Sequence, residues 1–370
     1  MPSLRSGDRV RRLHNATSMS GFPALHDATL HERGLTGSSL IDAAGRICLP
    51  YDVVREPELP RGLRPLAEIR TTLCAREHAF RLPDGDGPVH LLNGMGVALG
   101  DAIVGLSVLA ALQAQAPRRH FVLHPARHAP ASVQQLLGLA AACEVQPLPL
   151  LASDIPDDAA LIDLGDFAYW PHFGHFAMHD FFASALGADD LQEATRRNAW
   201  LSSLELPPLP AEWRQKPFVL FAPLSSSPLR TLSPGLQFAL VELASTHYGL
   251  PVLGFTEIAH PGYHCVAEHS RDTSQFLSWI RAARVLVSTD SAAVHAAAGF
   301  SVPTLAGFTC IAPALRVAGY PRCTALDLRR PELDGLHFSE EPALVSLAED
   351  AWGQTIAAGL PWPAIPDRDD

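Results

Sequence analysis

The chain has 370 residues, which suits two domains better than one because a single hydrophobic core rarely grows beyond roughly 250–300 residues. Hydrophobic residues make up 47% of the chain and charged residues 18%, so the composition excludes wholesale disorder. The 28 basic and 39 acidic side chains give a formal charge of −11, and the basic residues form no block. We therefore predict no nucleic-acid partner.

The lysine and cysteine content and the hydropathy pattern narrow the class of protein further. Lys216 is the only lysine, which leaves a single candidate for Schiff-base chemistry. The six cysteines lack paired spacing, so we expect reduced thiols and neither a disulfide framework nor a zinc site. No apolar run marks a secretory signal, and glycines and prolines interrupt the apolar stretch 291–315. We expect a cytoplasmic protein with at most a peripheral contact to the inner face of the membrane.

In the first half of the chain, the sequence pattern changes at residue 89 from irregular to alternating strands and helices. Residues 1–88 are rich in Pro, Gly and Arg, and we expect only strands at 46–49 and 51–54 and a helix at 66–76. Strands and helices then alternate, with strands at 89–92, 120–124 and 160–163 and helices at 101–114, 131–142, 175–186 and 191–201. Such alternation predicts a parallel sheet with crossover helices.

A linker at 206–216, which contains three prolines, precedes a second alternating run. Strands are predicted at 218–222, 251–255, 285–288, 303–307 and 324–328, and helices at 234–247, 273–283, 291–298 and 342–358. The fold class is α/β. We divide the chain into an N-terminal extension at 1–88, α/β domains at 89–205 and 217–345, and a closing helix and tail at 346–370.

The segment after the strand at 285–288 has the features of an anion site. Asp290 stands where a helix N-cap belongs, and Ser291, Ala292 and Ala293 form a first turn of small residues. The N–H groups and dipole of a helix N-terminus attract anions, and ligands of parallel α/β sheets bind at the carboxyl ends of strands. His295, one turn on, adds a donor. The alternative is an ordinary capped helix with a packed histidine.

This segment resembles a motif of glycosyltransferase family 9, the ADP-heptose:lipopolysaccharide heptosyltransferases. The matching residues are Asp290, Ser291, His295, Ala297, Ala298, Gly299 and Pro303. The resemblance extends over about residues 89–350. It implies a GT-B architecture, in which two Rossmann-like domains with parallel sheets face a cleft, preceded here by an N-terminal extension.

A second stretch, 218–234, resembles the family's strand and donor loop. The family binds the donor diphosphate there through loop hydroxyls and a lysine, and Ser225, Ser226 and Arg230 occupy these positions. Leu232 stands where the family has tryptophan. Farther on, Glu257 is similar to the family's glutamate near the donor nucleoside. The resemblance thus implies that these residues bind the donor together with the segment at 290–295.

In the first half, residues 89–112 resemble the family's opening strand, glycine loop and Gly-Asp pair. Asp101 thereby takes the position of the family's catalytic base, a role that suits a carboxylate beside an acceptor hydroxyl. Ser107 replaces a family proline. Without the resemblance, Asp101 would be interpreted as a helix cap. Residues 172–189 resemble the family's central helix, and we assign His175 and His179 to the acceptor side.

Three groups of residues have spacings found in metal sites, and we expect none of them to bind metal. They are His172, His175 and His179; His260, His264, Cys265 and His269; and Asp84, Gly85 and Asp86. The first group lies in an aromatic strip, the second in a Pro-Gly loop, and the third in a turn. We also expect no cofactor beyond the donor itself.

The sequence predicts an inverting, metal-independent glycosyltransferase that uses a nucleotide-diphosphate sugar, ADP-heptose-like, as donor. The acceptor is a hydroxyl on a glycan, a lipid-linked glycan such as lipopolysaccharide, or a protein. One alternative is a protein that binds a nucleotide sugar or a glycan without turnover. Another is a dinucleotide-dependent oxidoreductase, which rests on Gly94, Gly96 and Gly100 after a strand.

Overall fold

The computed structural model describes residues 30–188, 191–337 and 339–366. The chain divides into two compact units, one ending at Gln192 and the other beginning at Glu193. Each unit holds a parallel sheet, and helices connect most of its successive strands. The predicted α/β class, with a parallel sheet in each half, is confirmed.

The N-terminal unit contains two sheets. In the smaller one, β1 (Leu40–Ile41) pairs antiparallel with β2 (Ile47–Cys48) and β3 (Arg64–Pro65), and the short helix α1 (Pro50–Val53) follows β2. The larger sheet consists of β4 (Val89–Leu92), β5 (Phe121–His124), β6 (Glu144–Val145) and β7 (Ala160–Asp163), all parallel, in the order β6-β5-β4-β7. Its helices are α2 (Leu99–Gln115), α3 (Ala131–Leu139) and α4 (Met178–Leu186).

Helix α2 is apolar around most of its circumference because it is buried along most of its length. Every residue from Ala102 to Leu109 is buried, and such a helix needs no polar face. Gly105 leaves room for the Met95 side chain, which occupies the place where a Cβ would stand. This contact fixes the loop before α2 against the helix.

The extension before β4 belongs to the N-terminal unit. Ser39 donates to the Asp163 carboxylate twice, from its backbone N to Oδ2 at 2.8 Å and from its hydroxyl to Oδ1 at 2.6 Å. The backbone N of Gly165 donates to Oδ1 at 2.9 Å, and the indole of Trp170 donates to Gly37 O at 2.8 Å. These contacts tie the extension to the carboxyl end of β7, the strand that Asp163 ends.

The C-terminal unit is built on six parallel strands. They are β8 (Val219–Ala222), β9 (Val252–Gly254), β10 (Tyr263–Cys265), β11 (Val285–Thr289), β12 (Thr304–Phe308) and β13 (Cys323–Asp327), in the order β10-β9-β8-β11-β12-β13. The helices are α5 (Glu193–Arg196), α6 (Pro234–Tyr248), α7 (Thr273–Ala282), α8 (Ala292–Gly299), α9 (Ala314–Val317) and α10 (Pro342–Ala358). Strand order reverses between β8 and β11, which is the switch point where sheets of this topology bind ligands.

Several predicted elements differ from the structure. Residues 50–53 form α1 and not a strand, since Pro50 suits the first turn of a helix. The helix predicted at 66–76 is only a 3₁₀ turn, Leu66–Glu68. The helix predicted at 191–201 is interrupted at Asn198, whose φ of 55° is left-handed. Four short strands, β1, β3, β6 and β10, are absent from the sequence prediction.

Among the described helices, none is both long enough and apolar enough to cross a membrane. The six cysteines all lie within the described ranges, where none pairs with another, and Cys310 is buried.

Two buried histidines pair across neighbouring strands of the N-terminal sheet. His124 Nδ1 lies 3.0 Å from Gln146 O, which can only accept, so Nδ1 carries the proton and Nε2 is an acceptor. His90 Nδ1 lies 2.8 Å from that Nε2 and is therefore the donor. Burial, followed by the charge of His124, lowers the pKa of His90 to about 4. Both rings are therefore held neutral at pH 7.

We predict that Ser39→Ala lowers the free energy of unfolding by about 1–3 kcal/mol, because a buried carboxylate loses one of its donors. Ser202→Ala removes a hydroxyl that donates to Ala199 O on the surface, and should cost much less. Urea unfolding of both variants measures the difference. Equal losses for the two variants would contradict the role of Ser39.

We predict that the N-terminal unit loses stability as the pH falls from about 6.5 to about 4. In that range unfolded His90 takes up a proton and folded His90 does not, so protonation favours the unfolded chain, by up to about 3 kcal/mol. His90→Asn keeps a side-chain N–H donor without titrating and should flatten part of this decline. His78→Asn, at an exposed histidine whose charge is not among those that lower the pKa of His90, should leave the decline unchanged in denaturation curves taken across this pH range.

Candidate functional site

The site predicted in the second half of the chain lies at the switch point of the C-terminal sheet. Strands β8 and β11 are parallel neighbours, with Ala222 opposite Ser288 in their register. The loop that follows β8 carries Ser225, Ser226 and Arg230, and helix α8 begins three residues after β11. The structure therefore brings the donor-loop residues and the 290–295 segment together at the carboxyl ends of adjacent strands.

Arg230 joins these two segments. Its Nη1 lies 3.1 Å from Asp290 Oδ2 and 3.3 Å from Asp290 O, and its Nη2 donates to Ser226 Oγ at 2.6 Å. Nε donates to Ser227 Oγ at 3.4 Å. The Arg230 side chain is 14% exposed and that of Asp290 6%. All three guanidinium nitrogens thus help to hold the loop against the end of β11. The single ammonium group of a lysine could not make this set of contacts.

Asp290 does not cap helix α8, contrary to the prediction. The N-cap is Ser291, and the helix begins at Ala292. The Asp290 carboxylate lies against Arg230 because the strand continues one residue farther than predicted, to Thr289. Burial raises the pKa of Asp290, but the charges of Arg230 and Arg316 outweigh burial and bring that pKa below its ordinary value.

Hydroxyl groups line the two segments beside this ion pair. Ser225 Oγ donates to Asp290 O at 2.8 Å, while Ser225 N donates to Thr231 Oγ1 at 3.1 Å. Ser288 Oγ lies 3.0 Å from Ser291 Oγ, and no side chain caps α8. Ala292 and Ala293 form the first turn, so no bulky side chain stands over its backbone N–H groups.

Two residues that the sequence analysis did not assign complete the electrostatics of the site. Arg316, in α9, is buried, and its charge acts on Asp290. Burial and the charges of Arg316 and Arg230 lower the pKa of His337 to about 4, so this ring is neutral at pH 7. The charges of two guanidinium groups thus act on one carboxylate. The segment 312–320 resembles a family loop, which was the available signal for Arg316.

His295 lies on α8 in a buried network within the same unit. Its Nδ1 is 2.7 Å from the Tyr320 hydroxyl, and Asn198 Nδ2 donates to His295 O at 3.1 Å and to the Tyr320 hydroxyl at 2.8 Å. The histidine is packed, as in one interpretation of the sequence, and its part in binding a donor stays a prediction.

Glu257 is exposed and lies beside Cys265 at the neighbouring strand end. The hydroxyl of Tyr263 donates to Thr256 O at 2.7 Å and so fixes the turn that presents Glu257. The described contacts do not join Glu257 to the ion pair. Its assignment to the donor nucleoside stays a prediction.

The remaining predicted site residues belong to the N-terminal unit. Asp101 is half-buried in the first turn of α2, whose N-cap is Ala98, so the helix begins two residues earlier than predicted and Asp101 is not the cap. Helix α4 packs on α2 and carries His179, which is buried. His175 lies exposed in the turns before α4.

The glycines that suggested a dinucleotide loop serve close packing. A Cβ on Gly94 would lie 2.8 Å from Leu123 Cγ, and one on Gly96 would lie 2.6 Å from Phe167 Cζ. Asn93 and Met95 both have positive φ, 55° and 61°. The loop is a tight turn against the sheet, stabilised by the side chains that fill the places of the missing Cβ atoms.

Within the described ranges, no three His, Cys, Asp or Glu side chains are grouped so that they could hold a metal ion. The two histidine groups singled out in the sequence are therefore not assembled into such a cluster. Residues 84–86 form an exposed bend in which Gly85 has a φ of 119°.

No protein-family model matches the chain, and no curated protein matches it. Its structure is similar to that of the E. coli ADP-heptose lipopolysaccharide heptosyltransferase II, with 15% identity over 72% of this chain and 99% of that one and a TM-score of 0.44. It is also similar to a family 9 glycosyl transferase from Veillonella parvula, with 13% identity over 75% of this chain and 100% of that one and a TM-score of 0.47.

A third similar structure is the iron-containing dodecameric glycosyltransferase TibC from enterotoxigenic E. coli H10407, with 12% identity over 87% of this chain and 94% of that one and a TM-score of 0.46. At these identities and TM-scores, the similarities do not by themselves assign an activity to this chain.

We predict that Arg230→Met lowers the free energy of unfolding by about 3 kcal/mol, because it leaves Asp290 buried without its main partner. Adding Asp290→Asn to this variant should recover part of the loss, since the uncompensated charge is then gone. Arg329→Met breaks an exposed pair with Asp327 and should cost less than about 1 kcal/mol. Chemical denaturation compares the three, and a loss at Arg230 no larger than at Arg329 would contradict the prediction.

Proposed function

We propose that this chain is a glycosyltransferase that moves a sugar from a nucleoside-diphosphate donor to a hydroxyl group. The observation that carries this proposal is the arginine-bearing site at the switch point of the C-terminal sheet. Arg230 donates there to a loop hydroxyl, the charge of Arg316 acts on the same carboxylate as Arg230, and α8 begins beside them; a diphosphate binds to groups of this kind. The resemblance of the same residues to a family 9 motif supports this proposal.

The diphosphate is proposed to lie between the 225–230 loop and the first turn of α8. Ser226 would offer a hydroxyl donor, Ala292 and Ala293 backbone N–H groups, and Arg230 the positive charge. Ser225, whose hydroxyl donates to Asp290 O, would hold the loop in place. These groups are already held by the protein before the donor binds, so charge that develops on the leaving diphosphate meets fixed dipoles. Such an arrangement can stabilise the leaving group without a metal ion, and we propose a metal-independent reaction.

The donor sugar and nucleoside are assigned to the flanks of this site. Asp290 would accept a donor-sugar hydroxyl at the carboxylate oxygen that Arg230 does not take. His295, with Ser291, would contact the diphosphate side, and Glu257 the nucleoside. By resemblance the donor is ADP-heptose-like, and no further cofactor is proposed.

Asp101 is the proposed base. A carboxylate in the first turn of a helix is stabilised as the anion by the dipole, and it can take the proton of an acceptor hydroxyl as the new glycosidic bond forms. Attack from the face opposite the leaving diphosphate inverts the configuration at the anomeric carbon. His175 and His179 are assigned to the acceptor, a glycan, a lipid-linked glycan or a protein hydroxyl.

We predict that Asp101→Asn lowers turnover by about 10²–10⁴-fold, the usual contribution of a general base, and leaves donor affinity nearly unchanged. Asp154→Asn also removes a carboxylate from the first turn of a short helix in the same unit and should leave turnover unchanged. Single-turnover transfer and donor hydrolysis measure the rates. Near-normal turnover in Asp101→Asn would refute its role as base.

We predict that ADP-sugars raise the melting temperature of the chain, because a ligand that binds only the folded state stabilises it by mass action. A panel of ADP-, GDP-, UDP- and CMP-sugars and NAD identifies the nucleotide. Arg230→Lys keeps the positive charge but loses the planar set of guanidinium N–H donors. This variant should bind ADP more weakly by about 1–2 kcal/mol. A shift with a sugar nucleotide but no turnover with any hydroxyl acceptor would favour the non-catalytic alternative, and a shift with NAD alone the oxidoreductase.

A further inference from the structure

The loop after β5 is held by the N-terminal extension. Asp52, in α1, accepts from the backbone N of Arg127 at Oδ2 and from the backbone N of His128 at Oδ1, both at 2.8 Å. Glu56 forms an ion pair with the Arg127 guanidinium. Ala126, in the same loop, is buried in an apolar cluster that includes residues of the extension. These contacts fix the loop against the extension.

Asp52 also determines where the His128 ring carries its proton. Nδ1 of the ring lies 3.1 Å from Asp52 Oδ1. Both carboxylate oxygens already accept backbone N–H groups, so Nδ1 is the donor in this contact. In the neutral ring the single proton is therefore on Nδ1, and Nε2 carries the lone pair. The Asp52 side chain is 10% exposed and that of His128 35%, so the carboxylate is withdrawn from water while the ring reaches it.

A histidine oriented by a buried carboxylate is a common way to present an imidazole lone pair to a hydroxyl group. Within residues 30–188, 191–337 and 339–366, no hydrogen bond or ion pair takes up His128 Nε2. His128 follows β5 by four residues, and Asp101 follows the neighbouring parallel strand β4. Both residues thus lie at the carboxyl edge of the N-terminal sheet, where parallel α/β sheets bind their ligands.

Exposed aromatic side chains lie at the same edge of this sheet. Tyr169 and Phe176, in the segment that follows β7, are 42% and 40% exposed. A sugar ring has apolar C–H faces and hydroxyl groups around its rim, and ligand sites combine aromatic surface with a few polar groups. The aromatic rings together with a hydroxyl acceptor therefore favour a sugar as the ligand of this edge.

We propose that His128 binds a hydroxyl group of a sugar through Nε2, and that Asp52 is the positioning residue that keeps the proton of the neutral ring on Nδ1. That this sugar is the glycosyl acceptor rests on the proposed function. Without Asp52, the ring would carry its proton on Nε2 part of the time and would then present a donor in place of an acceptor. The site is incomplete without the extension, which supplies Asp52.

The proton assignment is measured by two-bond ¹H–¹⁵N correlation on the full chain labelled at histidine, at about pH 8, where an ordinary histidine is neutral. The His128 signals are identified by their loss in His128→Asn. We expect Nδ1 as a protonated nitrogen and Nε2 as a bare one. Asp52→Asn should move this pattern toward a mixture of tautomers. Glu56→Gln, which removes only the ion pair with Arg127, should leave it unchanged.

A protonated Nε2 in the native chain would overturn the proposal, whether Nδ1 carries a proton or not. This outcome decides the matter even if Asp52→Asn fails to fold, because it is read from the native protein. An unchanged pattern in a folded Asp52→Asn would refute the positioning role of Asp52.

Sugar binding is measured by titration of the same labelled chain with the methyl α-pyranosides of glucose, galactose and mannose, and with a serine-containing peptide. A hydroxyl that donates to Nε2 should shift the Nε2 resonance of His128 while that of Nδ1 changes little. We expect a shift with at least one glycoside. If Nε2 responds to none of these probes, or to the peptide alone, the sugar site is refuted.

The KM for the glycoside in sugar transfer tests the role of His128 in acceptor binding. His128→Asn keeps an amide N–H near the Nδ1 position for Asp52 but removes Nε2, so the loop should stay in place. We expect this KM to rise roughly three- to tenfold, the scale of one neutral hydrogen bond, with ADP affinity unchanged. His120→Asn is the matched control. His120 also pairs with a carboxylate, that of Glu144 at 3.1 Å, but it precedes β5 at the opposite edge of the sheet.

These readouts separate the proposal from the function beneath it. If Nε2 responds to a glycoside while the native chain binds no nucleotide sugar, the proposed function fails and the sugar site stands. If transfer to a glycoside occurs and His128→Asn raises its KM no more than His120→Asn does, the role of His128 in acceptor binding is refuted.

Discussion

The ion pair between Arg230 and Asp290 is the interaction on which the C-terminal site depends. It joins the loop after β8 to the end of β11 with both partners largely withdrawn from water. Buried charges destabilise the folded state unless each has several partners. Here the guanidinium of Arg230 also donates to Ser226 and Ser227. The geometry of the anion site is therefore a by-product of satisfying this pair. The charge of Arg316 also acts on Asp290.

The alternation of strands and helices was readable because buried parallel strands are short continuous apolar runs, as in β8 and β11. The predicted helices and strands were wrong where tertiary contacts decide the local structure. Residues 191–201 have a helical pattern, but the left-handed turn at Asn198 divides them because its side chain is needed by His295 and Tyr320. Strand β6 has two residues, too few for any periodicity, and exists through pairing with β5.

The proximity of the candidate residues in the C-terminal unit could be predicted, but their bonding could not. Motif spacing identified Ser225, Arg230 and Asp290, and the strand order brings them together. Sequence could not show that the carboxylate of Asp290 would turn to the guanidinium, since the choice between capping a helix and pairing with an arginine depends on burial. Arg316 escaped assignment because the resemblance of 312–320 to a family loop singles out no one residue, and the effect of Arg316 on Asp290 depends on the fold.

The contact between Ser39 and Asp163 joins residues 124 positions apart. Ile41 and Leu49 pack in a cluster that includes Leu161, so the extension cannot complete its burial until β7 has been made. At translation rates of 5–20 residues per second, the ribosome needs roughly 6–25 s to cover that distance. During this interval the cluster that covers the apolar face of the extension is incomplete. A newly synthesised N-terminal unit therefore exposes part of its apolar surface for seconds, which makes such intermediates prone to aggregation.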